Sequence, residues 1–141
     1  MPVFLEHVKN PSPQDWIDLN KIYTEVSEQN PSPDQEVETT VRHWLSSTDN
    51  CDEQWLIAGR FNARLLGAMF ARRIGNEVYL SNLAVRPVTQ GRGVAHQLAH
   101  HIQKWAQESS YTLIIEEVPE ALIGAFERRG FSANGNQHKF S

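Results

Sequence analysis

The stretch from Leu83 to Leu98, LAVRPVTQGRGVAHQL, holds the residues best suited to chemistry. An apolar run, Leu83-Ala84-Val85, ends near Val85, a short loop follows, and a helical pattern begins near Gly93. Gln90-Gly91-Arg92-Gly93-Val94-Ala95 stands at that strand-to-helix junction. The first amides of a helix have no partner within it, and the helix dipole adds partial positive charge there. Gly91 and Gly93 let the backbone approach a ligand with no Cβ between, and Ala95 keeps the first turn small. The arrangement reads as a cradle for a pyrophosphate, with Arg86 and Arg92 able to reach further phosphates through forked donors. A glycine-rich loop that merely turns the chain is the alternative. The strand before, the helix after and the flanking arginines weigh against it.

Those residues need a strand leading in and a helix leading out. Glu77–Val85 follows the tight-turn pair Gly75-Asn76 and predicts a strand. Val94, Leu98, Ile102 and Trp105 share one helical face and predict a helix to about Glu108. Upstream, Val3–Val8 reads as a strand, and Ser12-Pro13 opens a helix whose inner face carries Trp16, Leu19, Ile22 with Tyr23, and Val26. Ser32 with Gln35 is a capping-box pattern before Val37, Val41, Trp44 and Leu45, a second helix to about Ser47. Gln54–Phe61 and Leu65–Ile74 flank an Asn62-Ala63 turn and form an antiparallel meander with Glu77–Val85. Downstream, Tyr111–Val118 starts as a nearly continuous apolar strand, which suits a central position. Pro119 opens a helix to about Arg129, ended by Gly130, and Phe131–Ala133 with Gln137–Phe140 make a closing hairpin. The order β-α-α-β-β-β-α-β-α-β-β predicts an α/β fold: a single mixed, mostly antiparallel sheet with helices on both faces.

Composition sets the limits. The 141 residues suit a single domain, 1–141, with a sizeable core. With 21% charged and 9% aromatic residues the chain has the make-up of a globular protein rather than a disordered one. The formal charge of −4 gives no broad attraction for nucleic acid or an anionic membrane, so neither is an expected partner. No apolar run approaches the ~20 residues of a membrane-spanning helix. The opening MPVFLEHVKNP has no basic start and does not read as a signal peptide. Cys51 is the sole cysteine and cannot form an internal disulfide. The expected location is the cytoplasm.

Val85-x-Pro87-x-x-Gln90-x-x-Gly93-x-Ala95 resembles the acyl-coenzyme-A-binding signature of the GCN5-related N-acetyltransferase (GNAT) superfamily. The order of elements from Val3 to Phe140 resembles that fold as well. The resemblance implies acetyl-coenzyme A, or coenzyme A, as cofactor, with its pyrophosphate on the backbone of Gly91–Ala95. It implies that Leu83, Ala84 and Val85, at the end of their strand, pair with the pantetheine amides. It also implies that this strand and Tyr111–Val118 splay apart around the acetyl group. Where the superfamily often has a tyrosine that protonates the departing thiolate, this chain has Phe126, against the cofactor but without a proton to give. An asparagine often found at the start of that helix is replaced by Pro119.

Within the superfamily, Asp15-Trp16-Ile17-Asp18-Leu19-Asn20-Lys21-Ile22 and the segment Ala58–Leu66, with its R-F-N-x-R-L-L core, resemble the aspartate decarboxylase maturation factor family (PanZ). Leu83-x-Val85-Arg86-x-Val88-Thr89-x-x-Arg92-Gly93-Val94 continues the likeness. That resemblance implies an acetyl-coenzyme A sensor that binds the precursor of aspartate 1-decarboxylase, promotes its self-cleavage and restrains the mature enzyme, so that pantothenate synthesis follows coenzyme A supply. It implies Arg60 and Asn62, at a strand end and turn, as partner contacts. A segment from about Glu28 to Gln54, with the second helix, is longer than in the shorter enteric members. The alternative is an N-acetyltransferase acting on a small amine or a protein amine, and enzyme activity stays open.

No catalytic residue is assigned. Glu77, Glu116 and Glu117 lie on strands near the expected cleft, where a carboxylate could take a proton from an amine; solvated or ion-paired surface is the simpler account. Ser81 and Asn82 could polarise a water or hold a carbonyl oxygen, or only fill the strand. His96 and His100 are four apart, but no third ligand matches them; with His101 they suit a solvated helix face, and no metal is expected. Cys51 has no paired base in view.

Overall fold

Alternation along the strands sorts the side chains into two cores, one on each face of a single sheet. The computed structural model describes residues 3–26, 34–46, 51–86, 93–135 and 137–140. The elements are β1 (Phe4–Val8), α1 (Pro13–Val26), α2 (Asp34–Ser46), β2 (Glu53–Phe61), β3 (Arg64–Ile74), β4 (Glu77–Val85), α3 (Val94–Ser109), β5 (Thr112–Ile115), α4 (Glu120–Arg128), β6 (Ser132–Asn134) and β7 (Gln137–Phe140). The described residues form one sheet of seven strands in the order β1-β2-β3-β4-β5-β7-β6. Among the described residues β4 and β5 run parallel, and the other neighbouring pairs are antiparallel. Among the described residues no helix is long and apolar enough to cross a membrane.

On one face, Leu19 and Ile22 of α1 and Val37 and Val41 of α2 pack on Leu56, Leu65 and Phe70. On the other, Leu98, Ile102 and Ala106 of α3 and Leu122 and Phe126 of α4 cover Met69, Leu80 and Leu113. The helix ends follow their sequence signals. At the start of α1, the Asp15 amide donates to Ser12 Oγ and the Ser12 amide to Asp15 Oδ2, both at 3.1 Å, a reciprocal capping box. At the end of α4, Phe131 N–H reaches Phe126 O and Gly130 N–H reaches Glu127 O, with Gly130 at φ 96°, the Schellman closure that a glycine permits. Ser32, half of the capping box expected for α2, lies outside the described residues.

Three departures matter for the site. β5 ends at Ile115 rather than Val118: the Glu116 amide still donates to Leu80 O at 2.9 Å, and the chain then turns toward Pro119 and α4. β4 carries a bulge. Ala68 faces Ala84 and Phe70 faces Ser81, so Asn82 and Leu83 share the space opposite Met69, with Asn82 at φ 52°. Finally, Gly59 pairs directly with Gly67, while Leu66 is an extra residue before Leu65 meets Arg60.

Candidate functional site

The bulge and the short β5 together open a fork. β4 and β5 are paired only from Glu77 with Thr112 to Leu80 with Ile115. From Ser81 to Val85, β4 keeps β3 on one edge but has no strand on the other among the described residues. Backbone amides and carbonyls on that edge lack a ladder partner and suit an extended ligand with amides of its own. The bulge has a support: Tyr23 Oη of α1 donates to Asn82 O at 2.9 Å, and burial pushes the Tyr23 phenol up, which keeps it a donor. Leu83, Ala84 and Val85 are all buried at this end of β4, and the side chains on the α3 face change phase from Val78 and Leu80 to Leu83 and Val85.

Past the fork lies a cleft of about 540 Å³ between the start of α3 and α4. Val85, Gly93, Val94 and Ala95 line one wall, and Ala121, Gly124, Ala125 and Arg128 the other. Gln90, Gly91 and Arg92 lie outside the described residues. Gly93 precedes α3 at φ 76°, where L side chains are strained, and a Cβ there would meet nothing within 4 Å. Among the described residues no side chain caps α3, and uncapped amides at a helix start suit a ligand or solvent at the cleft. The helix is held in place from below. A Cβ on Gly59 would stand 2.5 Å from Leu98 Cδ2, and one on Gly67 would stand 2.9 Å from Leu98 Cδ1. The paired glycines thus form a notch that lets Leu98 sink onto the sheet.

Phe126 does not line this cleft. It is 1% exposed, and its ring meets Phe131 edge-on at 5.1 Å in the core beneath α4. Pro119 stands at the helix N-cap and offers no side-chain cap.

The other candidates scatter. Glu77 is at the far end of β4 from the fork. Glu116 sits at the fork but pairs with Arg72 at 3.2 Å, and Glu117 is exposed; both lie past the end of β5, not on it as expected. Ser81 is half-buried opposite Phe70, and Asn82 is the exposed bulge residue. Half-buried His96 and exposed His100 point to α4, where they meet Arg128 and Arg129; His101 is half-buried with its ring 5.4 Å from that of His100. Cys51 is half-buried just before β2. Arg128, on the cleft wall, was not singled out in the sequence; a basic residue near a helix end carries no local signal beyond its charge.

The β2–β3 hairpin differs most from expectation. Arg60, expected as a partner contact, is instead bound on every side within the chain. Nε donates to Glu6 Oε2 at 2.5 Å and Nη2 to Glu6 Oε1 at 3.1 Å. Nη1 reaches Asp15 Oδ1 and Ala63 O, both at 3.0 Å, and Nη2 also reaches Asp15 Oδ2 at 3.3 Å. A guanidinium has five N–H donors, and all are used within the chain. These carboxylates hold the Arg60 guanidinium's pKa above its usual range. Asn62 is exposed at the turn, with φ 48° beside Ala63 at φ 65°, the geometry of a two-residue type I′ turn.

Residues 2–138 match the family described as an acetyltransferase (GNAT) domain, PanZ. The chain is 37% identical over 98 residues to the PanD regulatory factor of Salmonella typhimurium and 36% identical over 91 residues to that of Escherichia coli. These matches span 70% and 64% of this chain but 61% and 58% of those relatives. Among solved structures, Escherichia coli YhhK bound to coenzyme A superposes with a TM-score of 0.67 at 28% identity, over 99% of this chain and 98% of that one. The PaiA N-acetyltransferase of Thermoplasma acidophilum, in complex with coenzyme A, shares the fold at 15% identity and a TM-score of 0.63, over 99% and 97% of the two chains. The architecture described above is the GNAT fold, and solved examples of it hold coenzyme A or acetyl-coenzyme A.

Proposed function

The chain belongs to the PanZ family of GNAT domains, and from that premise we propose that it is an acetyl-coenzyme A-binding regulator of aspartate 1-decarboxylase. The pantetheine arm lies along the open edge of Leu83–Val85, and the pyrophosphate rests at Gly91–Ala95. The bound state promotes self-cleavage of the decarboxylase precursor and controls the mature enzyme, linking pantothenate synthesis to coenzyme A supply. The curated relatives named PanD regulatory factor support this reading. The observation that carries it over acetyl transfer is Phe126: the α4 position at which GNAT enzymes often supply a proton has none to give and is sealed in the core. General acids typically contribute ~10²–10⁴-fold, so a transferase would need another donor.

The partner surface in this proposal is the tip of the β2–β3 hairpin. Asn62 offers an exposed amide there, while Arg60 fixes the hairpin to β1 and α1. Phe61, between them, is half-buried against the α3-side core. Asn62→Gly, which removes the amide and tolerates the left-handed turn, is therefore the clean probe of docking, since Asn62→Ala strains the turn and Arg60→Ala unties the fold.

One observation favours the second reading, an N-acetyltransferase. Helix α2 stacks Trp44 on Phe70 at 5.0 Å, and Phe70 adjoins Ser81 beside the fork. That forms a wall on the side where an acceptor amine would enter.

Purified protein mixed with decarboxylase precursor, with and without acetyl-coenzyme A, separates the readings. Cofactor-dependent cleavage supports the regulator, and loss of cleavage in Asn62→Gly supports the hairpin surface. Steady thiol release with an amine and no effect on the precursor supports the transferase instead.

A further inference from the structure

Among the described residues, the seam between α3 and α4 holds two arginines without counter-charge. Arg42, Arg60, Arg64, Arg72 and Arg73 each pair with a carboxylate, at 2.5 to 3.6 Å. Arg128 and Arg129 pair with none among the described residues. Arg129 Nη2 lies 2.8 Å from His100 Nδ1, and its Nε donates to Gln103 Oε1 at 3.4 Å. Arg128 has less: Nη1 lies 3.5 Å from His96 Nε2, at the limit of a hydrogen bond. Arg128 is also the residue of the two that lines the cleft.

An imidazole, unlike a carboxylate, brings no negative charge, so a guanidinium facing one keeps its charge uncompensated. An anion entering the cleft would supply what is missing. The amides at the start of α3 serve one phosphate group, and Arg128 stands on the opposite wall, on α4. Gly124 leaves room beside it: a Cβ there would lie 3.3 Å from Arg128 Nη2.

We propose that Arg128, beside His96, forms a second phosphate subsite that takes the ribose 3′-phosphate of the coenzyme. This rests on the reading of the cleft as a coenzyme A site and adds to it a reason for choosing the 3′-phosphorylated form. A phosphate monoester offers acceptor oxygens to both prongs of the guanidinium, and Arg128 can leave its long contact with His96 at little cost.

Calorimetric titration with coenzyme A and with 3′-dephospho-coenzyme A tests this in the intact protein. Wild type is expected to bind coenzyme A about tenfold more tightly than the dephospho form, the scale of one charge-assisted hydrogen-bond pair. Arg128→Gln should erase that difference by weakening coenzyme A alone, with an unchanged melting temperature, and Arg128→Lys should keep part of it. Equal affinities in wild type, or a preference that survives Arg128→Gln, would overturn the subsite. Equal weakening of both ligands would overturn it too, by placing Arg128 on the pyrophosphate they share. Failure of either ligand to bind wild type would overturn the coenzyme reading itself, a result distinct from the others.

Discussion

Asp18 of α1 and Arg64 of β3 meet through Nε at 2.9 Å and Nη2 at 2.6 Å, with Asp18 1% exposed and Arg64 at the surface. One turn earlier Asp15 meets Arg60. The segments Asp15–Asp18 and Arg60–Arg64, which carry much of the family likeness, are therefore one structural unit. Asp18 also accepts from the Leu65 amide at 3.0 Å and from Gln14 Nε2 at 3.1 Å.

Asp18→Ala should accordingly cost more than Arg64→Ala. It leaves the buried Leu65 amide unpaired, a penalty of about 1–3 kcal/mol. Without Arg64, Asp18 still has the Leu65 amide and Gln14. Urea unfolding of both variants checks the order, and a larger loss in Arg64→Ala would contradict it.

The same carboxylates set an acid limit. Burial alone would raise the Asp18 pKa, but hydrogen bonds from Arg64, Leu65 and Gln14 together carry it below the usual value; Asp15 follows the same pattern with Arg60 and Ser12. A lowered native pKa means the unfolded chain takes up protons first. Their contribution is whole above about pH 3.9 and is lost as pH falls through the lower native values. Stability measured from pH 5 to 2 should drop in that window, and Asp18→Asn should shrink the drop.

His7 acts at higher pH. It is half-buried with its ring 5.2 Å from Trp105 and 5.8 Å from Trp55, and its Nε2 has no hydrogen-bond partner among the described residues. Burial first, and then Lys9, lowers its pKa. The unfolded chain therefore binds this proton more readily than the native one, so stability declines as pH falls below about 6.5 toward the native value. His7→Phe should flatten the stability profile between pH 7 and 5; an unchanged slope would assign the decline to other groups.

The notch under α3 predicts a coupled pair. Gly59→Ala forces a methyl against Leu98 and Val3, whose side chains are 0% and 1% exposed and have no space to retreat into, at about 1–3 kcal/mol. Leu98→Ala alone opens a cavity at about 2–5 kcal/mol. The double variant should lose clearly less than the sum. Additive losses would mean that the two sites do not share the contact.

At Gly93 the backbone and the ligand can be told apart. Gly93→Val should cost about 1–2 kcal/mol through its left-handed conformation, while Gly93→Asn, which tolerates that region, should cost little. Both should weaken coenzyme A, because each puts a side chain at the now open cleft mouth. Wild-type affinity in Gly93→Asn would show that the backbone there does not approach the coenzyme.

Much of this architecture can be read in the chain. Gly75-Asn76, the Val94–Trp105 stripe and Gly130 are local signals, and local signals place elements. The bulge was also present, as the change of phase from Val78 and Leu80 to Leu83 and Val85, but a phase change within a short apolar run is easily read as continuous strand. Arg60 was different in kind. Its acceptors Glu6 and Asp15 lie 54 and 45 residues away, so no neighbouring residue reveals that its donors are taken. The want of counter-charge at Arg128 is likewise a property of packing, visible only once α3 and α4 are side by side.

The ion pairs of α1 also impose an order of assembly. The β2–β3 hairpin closes through the adjacent residues Asn62 and Ala63 and can form from its own neighbours, whereas α1 has no counter-charges for Asp15 and Asp18 until Arg60 and Arg64 are set. During synthesis the chain emerges N-terminus first, so α1 leaves the ribosome ahead of the strands that anchor it. A 14-residue segment without its tertiary contacts is at best a marginal helix, so its apolar face gains cover only when those strands arrive. In refolding experiments this order has a signature: substitutions at Asp15 and Asp18 should speed unfolding and leave the folding rate nearly untouched.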